Sequence, residues 1–194
     1  MKAATSVRIL QASLTAFAQQ GVSGTSLDAL ARQLGIRKQT ILYWFGSKEQ
    51  LLLGVIDHAV AELGERLRSA VRSARPNRRA RLVAAVDATF RLGTTDPELL
   101  ALLREVLRQG PPASSHLAAA LEPLVAGAVT GLADDDPSLD VLAARRILLD
   151  AGSRVVGLAT EAEIRTELGL PPDLAWLRAR RTALLQALTA ALGD

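Results

Sequence analysis

The sequence lacks cysteine altogether and is poor in aromatic residues. None of its 194 residues is cysteine, so disulfides, thiolate metal sites and cysteine nucleophiles are excluded, and a reducing compartment is compatible with the chain. Aromatic residues make up 3% of the chain, whereas alanine, leucine and arginine, which favour helices, dominate it. The composition therefore predicts an all-α fold.

Membrane and export signals are also missing from the pattern. Met1–Ser6 is polar, and polar residues interrupt the first apolar stretch, so we expect no secretory signal. No uncharged apolar run reaches the ~20 residues that a membrane span needs. We therefore expect a cytoplasmic protein without a membrane partner.

The charge of the chain is unevenly distributed, although its net value is only +3. Residues 1–81 contain 13 Lys/Arg and 5 Asp/Glu, which gives +8, and residues 82–194 carry −5. A basic N-terminal part suggests a polyanionic partner such as nucleic acid. The arginines of residues 66–81 also fit a solvated helix face.

The N-terminal residues predict two helices separated by glycines. Leu10, Leu14 and Phe17 recur at helical spacing and indicate a helix over residues 4–19. Gly21 and Gly24 end this helix. We expect Thr25 to cap a second, short helix over residues 26–34, with Asp28 as its capping-box partner. Gly35 ends the second helix, because glycine adopts the left-handed conformation that a helix C-terminus favours.

A third short helix over residues 37–45 follows the turn at Gly35. Two short helices joined by a tight turn at a glycine are typical of a helix-turn-helix. Ser47 caps a long fourth helix over residues 47–73, which carries an apolar stripe. The sequence therefore predicts a three-helix head, residues 1–50, followed by a helical body, residues 51–194.

The body is helical throughout in this interpretation. Five further helices are predicted, with Pro123 kinking or splitting the third of them and a loop at Asp134–Pro137. They span residues 77–93, 96–109, 114–132, 138–168 and 172–192. We expect the three aspartates of the loop to be solvated, and we expect no metal, no cofactor and no catalytic residue in the chain.

The third helix has the composition of a recognition helix. Its N-terminal side chains can reach base edges in the major groove, and the aromatic residues at its end can press on the sugar–phosphate backbone. Lys48 lies at the start of the next helix, where free N–H groups favour a phosphate. The predicted DNA-binding residues are Thr25, Ser26, Arg37, Lys38, Gln39, Thr40, Tyr43, Trp44 and Lys48. Phe45 is expected in the core.

The segments that carry these residues resemble the N-terminal signature of the TetR family. The resemblance runs without a gap over about residues 8–56, through Thr25-Ser26-Leu27, Leu34-Gly35-Ile36, Thr40–Phe45 and Ser47–Leu52. It implies a dimeric repressor on palindromic double-stranded operator DNA, released when a small molecule binds the helical body. Two positions depart from the family pattern: Leu42 precedes Tyr43 where two tyrosines are common, and Trp44 replaces a common histidine.

The body offers aliphatic walls with a few polar groups, which favours a largely apolar effector. Arg146 and Asp150 are four residues apart and also fit a simple ion pair. His116 also fits a surface or capping role. The candidate effector-binding residues are Phe90, Arg91, Arg104, His116, Arg146, Asp150, Arg154 and Trp176, with Glu122 as a further polar candidate.

The last two helices are apolar on more than one side. Such helices must be covered on more than one side, and small residues permit close helix approach. We expect a homodimer through a four-helix interface, although a buried central helix in a monomer has the same pattern. The predicted interface residues are Leu142, Leu149, Gly152, Val156, Leu177, Leu184 and Leu188.

Two other functions are compatible with a small helical chain. An enzyme needs a convergent set of nucleophile, base or metal ligands, and two histidines without a glycine-rich phosphate loop do not supply one. An adaptor that has lost DNA binding would not need the basic and polar set Arg37–Thr40. The sequence therefore favours a ligand-responsive DNA-binding regulator over both.

Overall fold

The computed structural model of the chain describes residues 2–136 and 138–192. Over these residues the chain forms nine helices and no strand, which confirms the all-α prediction. The helices are α1 (Lys2–Gly24), α2 (Leu27–Leu34), α3 (Lys38–Phe45), α4 (Lys48–Ser73), α5 (Arg78–Thr95), α6 (Pro97–Gln109), α7 (Ala113–Asp135), α8 (Val141–Glu167) and α9 (Leu174–Leu192).

Most of the predicted helix ends lie close to the observed ones, and capping residues account for two of them. Gly35 is left-handed (φ 67°, ψ 31°) and its N–H donates to the carbonyls of Ala31 and Arg32, as expected for the end of α2. Ser47 accepts a hydrogen bond from the backbone N–H of Gln50 at 3.1 Å, which confirms it as the cap of α4.

Three local predictions are wrong. Thr25 does not cap α2; Ser26 does, through a 3.0 Å hydrogen bond from the N–H of Ala29 to its hydroxyl. Thr25 is buried instead. Helix α7 neither splits at Pro123 nor ends at residue 132, since it continues to Asp135. Of the predicted Asp134–Pro137 loop, Asp134 and Asp135 are helical and Pro137 lies outside the described residues.

The chain divides into two compact units that do not follow the order of the sequence. The first unit contains the residues up to Leu63 together with Asp96–Leu121, and the second contains Gly64–Thr95 together with the residues from Glu122 onward. Helices α4 and α7 each contribute to both units. The division between a head at residues 1–50 and a body at residues 51–194 stays a prediction, because the units are defined by packing and not by function.

The core of the first unit draws apolar side chains from several helices, among them α1, α3 and α4. Its fully buried apolar side chains include Ile9 and Phe17 of α1, Ile41 of α3, and Leu51 and Val55 of α4. Burying a side chain of this size stabilises the fold by roughly 1.5–3 kcal/mol. Through Ile41, α3 thus contributes to the same buried core as α1 and α4.

The core of the second unit is smaller. Val86 of α5 is buried with Leu184 and Leu188 of α9, and Phe90 and Ile147 pack against this cluster. Arg78 closes one end of the unit by donating to the carbonyl of Leu192. The central contacts of this unit are therefore made between α5 and the last two helices.

Helix α7 is the single helix among the described residues that is long and apolar enough to cross a membrane, judged by length and composition alone. Within the first unit its His116 pairs with Asp57, and within the second unit its Glu122 pairs with Arg145. Core helices of soluble proteins have the same length and composition. This helix is therefore weak support for a membrane segment.

Candidate nucleic-acid interface

The helix-turn-helix is built from α2, the turn at Gly35 and α3. Leu30 and Ala31 are the buried residues of α2, and Ile41 is the buried residue of α3. The N–H of Ile36 donates to the carbonyl of Ala31 at 3.0 Å, which closes the C-terminus of α2. The turn is thus held by backbone hydrogen bonds, and the first turn of α3 can present its side chains outward.

The N-terminal half of α3 presents polar side chains on a supported surface. Arg37 and Gln39 are exposed, while Lys38 and Thr40 are half-buried. Arg37 has extended backbone and precedes the helix, and its carbonyl accepts the N–H of Thr40 at 2.9 Å. Side chains of these types at the start of a helix are able to donate to bases and phosphates in a major groove.

Lys38 is not a free cation in this structure. Its Nζ lies 2.8 Å from Oδ2 of Asp28 in the first turn of α2. The side chains of Lys38 and Asp28 are 41% and 65% exposed, and ion pairs this open to solvent contribute about 0–1 kcal/mol. The pair is therefore weak enough to open when a stronger anion such as a phosphate approaches.

The three aromatic residues at the end of α3 have different surroundings. Tyr43 is 76% exposed. Its ring meets that of Trp44 edge to face, with centroids 5.8 Å apart. Phe45 packs over Gly54 of α4, where a Cβ would lie 3.2 Å from the ring. The prediction that Phe45 packs inward agrees with this contact, and Tyr43 is the aromatic side chain most open to a backbone partner.

The residues flanking the helix-turn-helix differ in what they can contact. The hydroxyl of Thr25 donates to the carbonyl of Gly21 at 2.9 Å and is 3.3 Å from that of Ala16, so it has no surface for a phosphate. Ser26 is exposed as the N-cap of α2. Lys48 is half-buried, and its Nζ is 3.5 Å from the carbonyl of Ser23. Contacts of Ser26 and Lys48 with DNA stay predictions.

The predicted effector-binding residues are divided between the two units. In the first unit, Arg104 is half-buried and His116 lies 2.7 Å from Oδ1 of Asp57. In the second unit, Phe90 packs on the Val86 core and Trp176 donates its indole N–H to Glu161 at 3.3 Å. The eight residues are therefore not shown to share one pocket.

Two open depressions of the second unit include predicted effector residues. The first, of about 230 Å³, is lined by Arg146, Asp150 and Arg154 together with apolar residues of α8 and α9. Asp150 pairs with Arg154 at 2.8 Å. The second, of about 560 Å³, is lined by Arg91 among other residues, and its wall includes Val83 and several alanines.

The predicted interface residues fall into two groups. Leu142 and Leu149 of α8 are 56% and 60% exposed, and Gly152 beside them is exposed too. Leu184 and Leu188 of α9 are buried inside one chain against Val86, so they have little surface left for a partner. Val156 and Leu177 are half-buried. The exposed part of the predicted interface is therefore on α8.

Two carboxylates of α6 are functional candidates that sequence reasoning missed. Glu98 accepts the hydroxyl of Thr15 at 2.8 Å, and Glu105 accepts the backbone N–H of Val22 at 2.9 Å. The Arg108 guanidinium beside Glu105 lowers the pKa of that carboxyl to about 2, and the N–H of Val22 acts in the same direction. Their spacing of seven residues puts them on one helix face, but nothing in the sequence identifies α1 as the partner.

Comparison with known proteins finds a family resemblance in the N-terminal part of the chain. Residues 9–55 match the family model described as bacterial regulatory proteins, tetR family. This match covers about a quarter of the chain. The matched segment runs through α1, α2 and α3 into α4, so every predicted DNA-binding residue lies within it.

Two curated regulators each resemble part of the chain. The regulator BetI of Paraburkholderia xenovorans is 30% identical over 83 residues, which is 43% of each chain. The regulator RutR of Escherichia coli is 44% identical over 48 residues, 25% of this chain and 23% of RutR. The chain thus matches less than half the length of these relatives.

A solved structure extends the likeness to the whole fold. The regulator FadR of Bacillus subtilis, solved in complex with stearoyl-CoA, superimposes with a TM-score of 0.76 at 18% identity and covers 95% of this chain and 98% of FadR. At this identity the likeness shows the fold alone. The likeness therefore supports the architecture of the whole chain and identifies no ligand for it.

Proposed function

We propose that the chain is a sequence-specific transcriptional repressor that binds a palindromic operator as a homodimer and is released by a small molecule. The observation that carries DNA binding is the polar first turn of α3, which is presented outward by a helix whose single buried residue is Ile41. A side-chain set of this kind, on a rigid helix-turn-helix, is suited to direct readout in the major groove.

DNA binding is tested by selection from a random duplex library. The wild-type chain is expected to enrich a palindrome whose half-sites are separated by about one helical turn, ~34 Å. The enriched duplex then serves as the operator in gel-shift titrations at two salt concentrations, because affinities without the salt concentration cannot be compared. A selection that enriches no sequence contradicts the proposal.

The homodimer is supported by the aliphatic side chains that α8 leaves exposed. Leu142 and Leu149 are seven residues apart and share one face of the helix. Two copies of such a face can cover each other in an isologous interface. Sedimentation of the wild-type chain is expected to give the mass of two chains, and a monomer at micromolar concentration would contradict the dimer.

The effector is proposed to be a small, largely apolar molecule bound by the body. The fold matches that of a regulator solved with an acyl-CoA ligand, which supports a ligand-binding role for the helices beyond α4. The groove that includes Arg91, Val83 and Ala84 also offers a cation beside an apolar wall, which fits a small organic acid.

A thermal-shift screen tests the effector. A compound that binds only the folded chain raises its midpoint of unfolding. Small fatty acids and their neutral amides form a matched pair, because they differ in charge and not in apolar length. A compound that stabilises the chain and also releases the selected operator supports induction. The proposal is contradicted for a compound that stabilises the chain and leaves operator affinity unchanged.

A further inference from the structure

Helix α1 is interrupted directly before the helix-turn-helix. Gly21 has a non-helical backbone (φ 72°, ψ 163°), which turns the following peptide out of the helical ladder. The N–H of Val22 donates to Oε1 of Glu105, on α6, at 2.9 Å. A backbone donor at a helix break needs a partner, and here a carboxylate from another helix provides it.

A second carboxylate of α6 holds α1 two turns earlier. Oε2 of Glu98 accepts the hydroxyl of Thr15 at 2.8 Å, and Oε1 is 3.4 Å from the amide of Gln19. Thr15 and Val22 are seven residues apart, and so are Glu98 and Glu105. Seven residues span ~10.5 Å along an α-helix. The two pairs therefore match in spacing and fix the register of α6 along α1.

Glu105 is itself held in place. Arg108 donates to both of its oxygens, at 2.8 and 2.9 Å, and Gln109 donates at 3.1 Å. Its side chain is 11% exposed. A Cβ on Gly21 would lie 3.3 Å from Oε1, so the carboxylate fits closely against the break in α1.

The break in α1 is joined to α2 by the next four residues. The hydroxyl of Thr25 donates to the carbonyl of Gly21 at 2.9 Å, and its N–H donates to the carbonyl of Val22 at 3.3 Å. Ser26, the N-cap of α2, follows immediately. Thr25 thus connects Val22 to the first turn of the helix-turn-helix, so the position of Val22 constrains where α2 begins.

We propose that Glu105 is a positioning residue for DNA binding: by accepting the N–H of Val22, with Glu98 setting the register at Thr15, it fixes where the helix-turn-helix begins. The proposal rests on the proposed DNA-binding function. In this proposal, α6 sets the position of α1 along the helix axis. A carboxylate that only stabilised α6 through Arg108 would have no effect on operator affinity.

The test compares three variants on the operator duplex selected by the wild-type chain. Glu105→Leu removes the acceptor and keeps the size of the side chain. Glu105→Gln keeps an acceptor oxygen for Val22 without the charge. Arg108→Ala removes the local ion pair and leaves the Val22 contact. Each variant is measured by gel shift, by thermal unfolding and by hydrogen exchange of the peptide that contains Val22.

Glu105→Leu is expected to weaken operator binding about tenfold and to speed exchange at Val22, because an unpaired donor frays the break. Glu105→Gln should bind within about threefold of the wild type, and Arg108→Ala within about twofold. If Glu105→Leu does not fold, Glu105→Ala takes its place in all three measurements, because it also removes the acceptor and lets water reach the N–H of Val22.

Three results overturn the proposal. One is wild-type operator affinity in Glu105→Leu with fast exchange at Val22. Another is unchanged exchange at Val22 in that variant. A third is an Arg108→Ala defect in DNA binding at least as large as that of Glu105→Leu, or of Glu105→Ala where Glu105→Leu does not fold. If the wild-type chain selects no duplex, the proposed function fails, while the exchange measurement still tests the contact between α6 and α1.

Discussion

The two compact units expose opposite kinds of side chain on their open helices. In the first unit, α3 presents Arg37, Gln39 and Tyr43. In the second, α8 presents Leu142 and Leu149. The polar side chains of an exposed face form hydrogen bonds with water until a charged partner binds. An exposed aliphatic face, in contrast, is stabilised when another surface covers it. Under the proposed function, the polar face would meet DNA and the aliphatic face would meet a second copy of the chain.

The largest expected effect comes from placing a charge on the aliphatic face. Leu149→Glu should convert the dimer to a monomer in sedimentation, because two buried and unpaired carboxylates would face each other across the interface. Operator affinity should fall roughly a hundredfold or more, since a palindrome binds two heads together. Leu107→Glu, at an exposed leucine of the first unit, is the matched control and should remain dimeric.

A smaller effect is expected on the polar face. Thr40→Ala and Tyr43→Ala should each cost roughly 1–3 kcal/mol of operator binding without changing the dimer. Tyr43→Phe removes only the hydroxyl, so it distinguishes the contribution of the hydroxyl to binding from that of the ring. Titration by gel shift measures both, and full affinity in Thr40→Ala and Tyr43→Ala together would remove the third helix from the interface.

The two basic residues Lys48 and Arg37 should differ in how the salt concentration affects their contribution to DNA binding. Lys48→Ala is expected to weaken binding to every duplex and to lower the salt slope by about 1, since a phosphate contact carries no sequence information. Arg37→Ala is expected to relax preference at one base pair. The measurement is binding to the selected operator and to single-base variants at several salt concentrations.

The first unit should also show a pH dependence that comes from Glu105. Its pKa is lowered to about 2 in the folded chain by Arg108 and by the N–H of Val22. The unfolded carboxyl binds a proton near pH 4.5, so the stabilisation is complete above that pH and is lost as the pH falls toward 2. Allowing for solvent screening, the effect is roughly 1–3 kcal/mol.

Urea unfolding of the wild type and Glu105→Gln across this range measures the effect. The difference in free energy of unfolding should be constant above about pH 5 and should shrink as the pH is lowered. A difference that stays constant down to pH 3 would show that Glu105 is not stabilised in its charged form.

The smallest effect is expected at the ion pair of Lys38 and Asp28. Asp28→Asn frees Lys38 for a phosphate and should strengthen DNA binding by a few-fold at most, because exposed pairs contribute about 0–1 kcal/mol. The gain should disappear in the double variant with Lys38→Ala. Equal gains with and without Lys38 would mean that Asp28 acts by repelling DNA directly.

The sequence predicts the head in more detail than the body, and the reason is physical. The turn at Gly35 and the cap at Ser47 are local signals that act within a few residues. Glu105 shows the opposite case: its partner, Val22, is 83 residues away, and no local pattern encodes that pairing. Leu184 and Leu188 show the same limit, since periodicity cannot distinguish an aliphatic residue that packs within one chain from one that packs against a partner.

The prediction that Thr25 caps α2 is wrong for a related reason. A threonine three residues before an aspartate fits a capping box, but Ser26 is an equally good cap and one position closer to the helix. The buried hydroxyl of Thr25 is used instead to close the break at Gly21. Two adjacent hydroxyl residues can exchange these roles, and only the packing of α1 decides between them.

The single buried residue of α3 has a consequence for how such proteins change over time. Since Ile41 is the buried residue of α3, the exposed side chains of Arg37 and Gln39 can be replaced without opening a cavity. Under the proposed function, operator preference can therefore drift, or be exchanged by grafting, at little cost to folding. A new promoter would then be acquired by mutations in one turn of one helix.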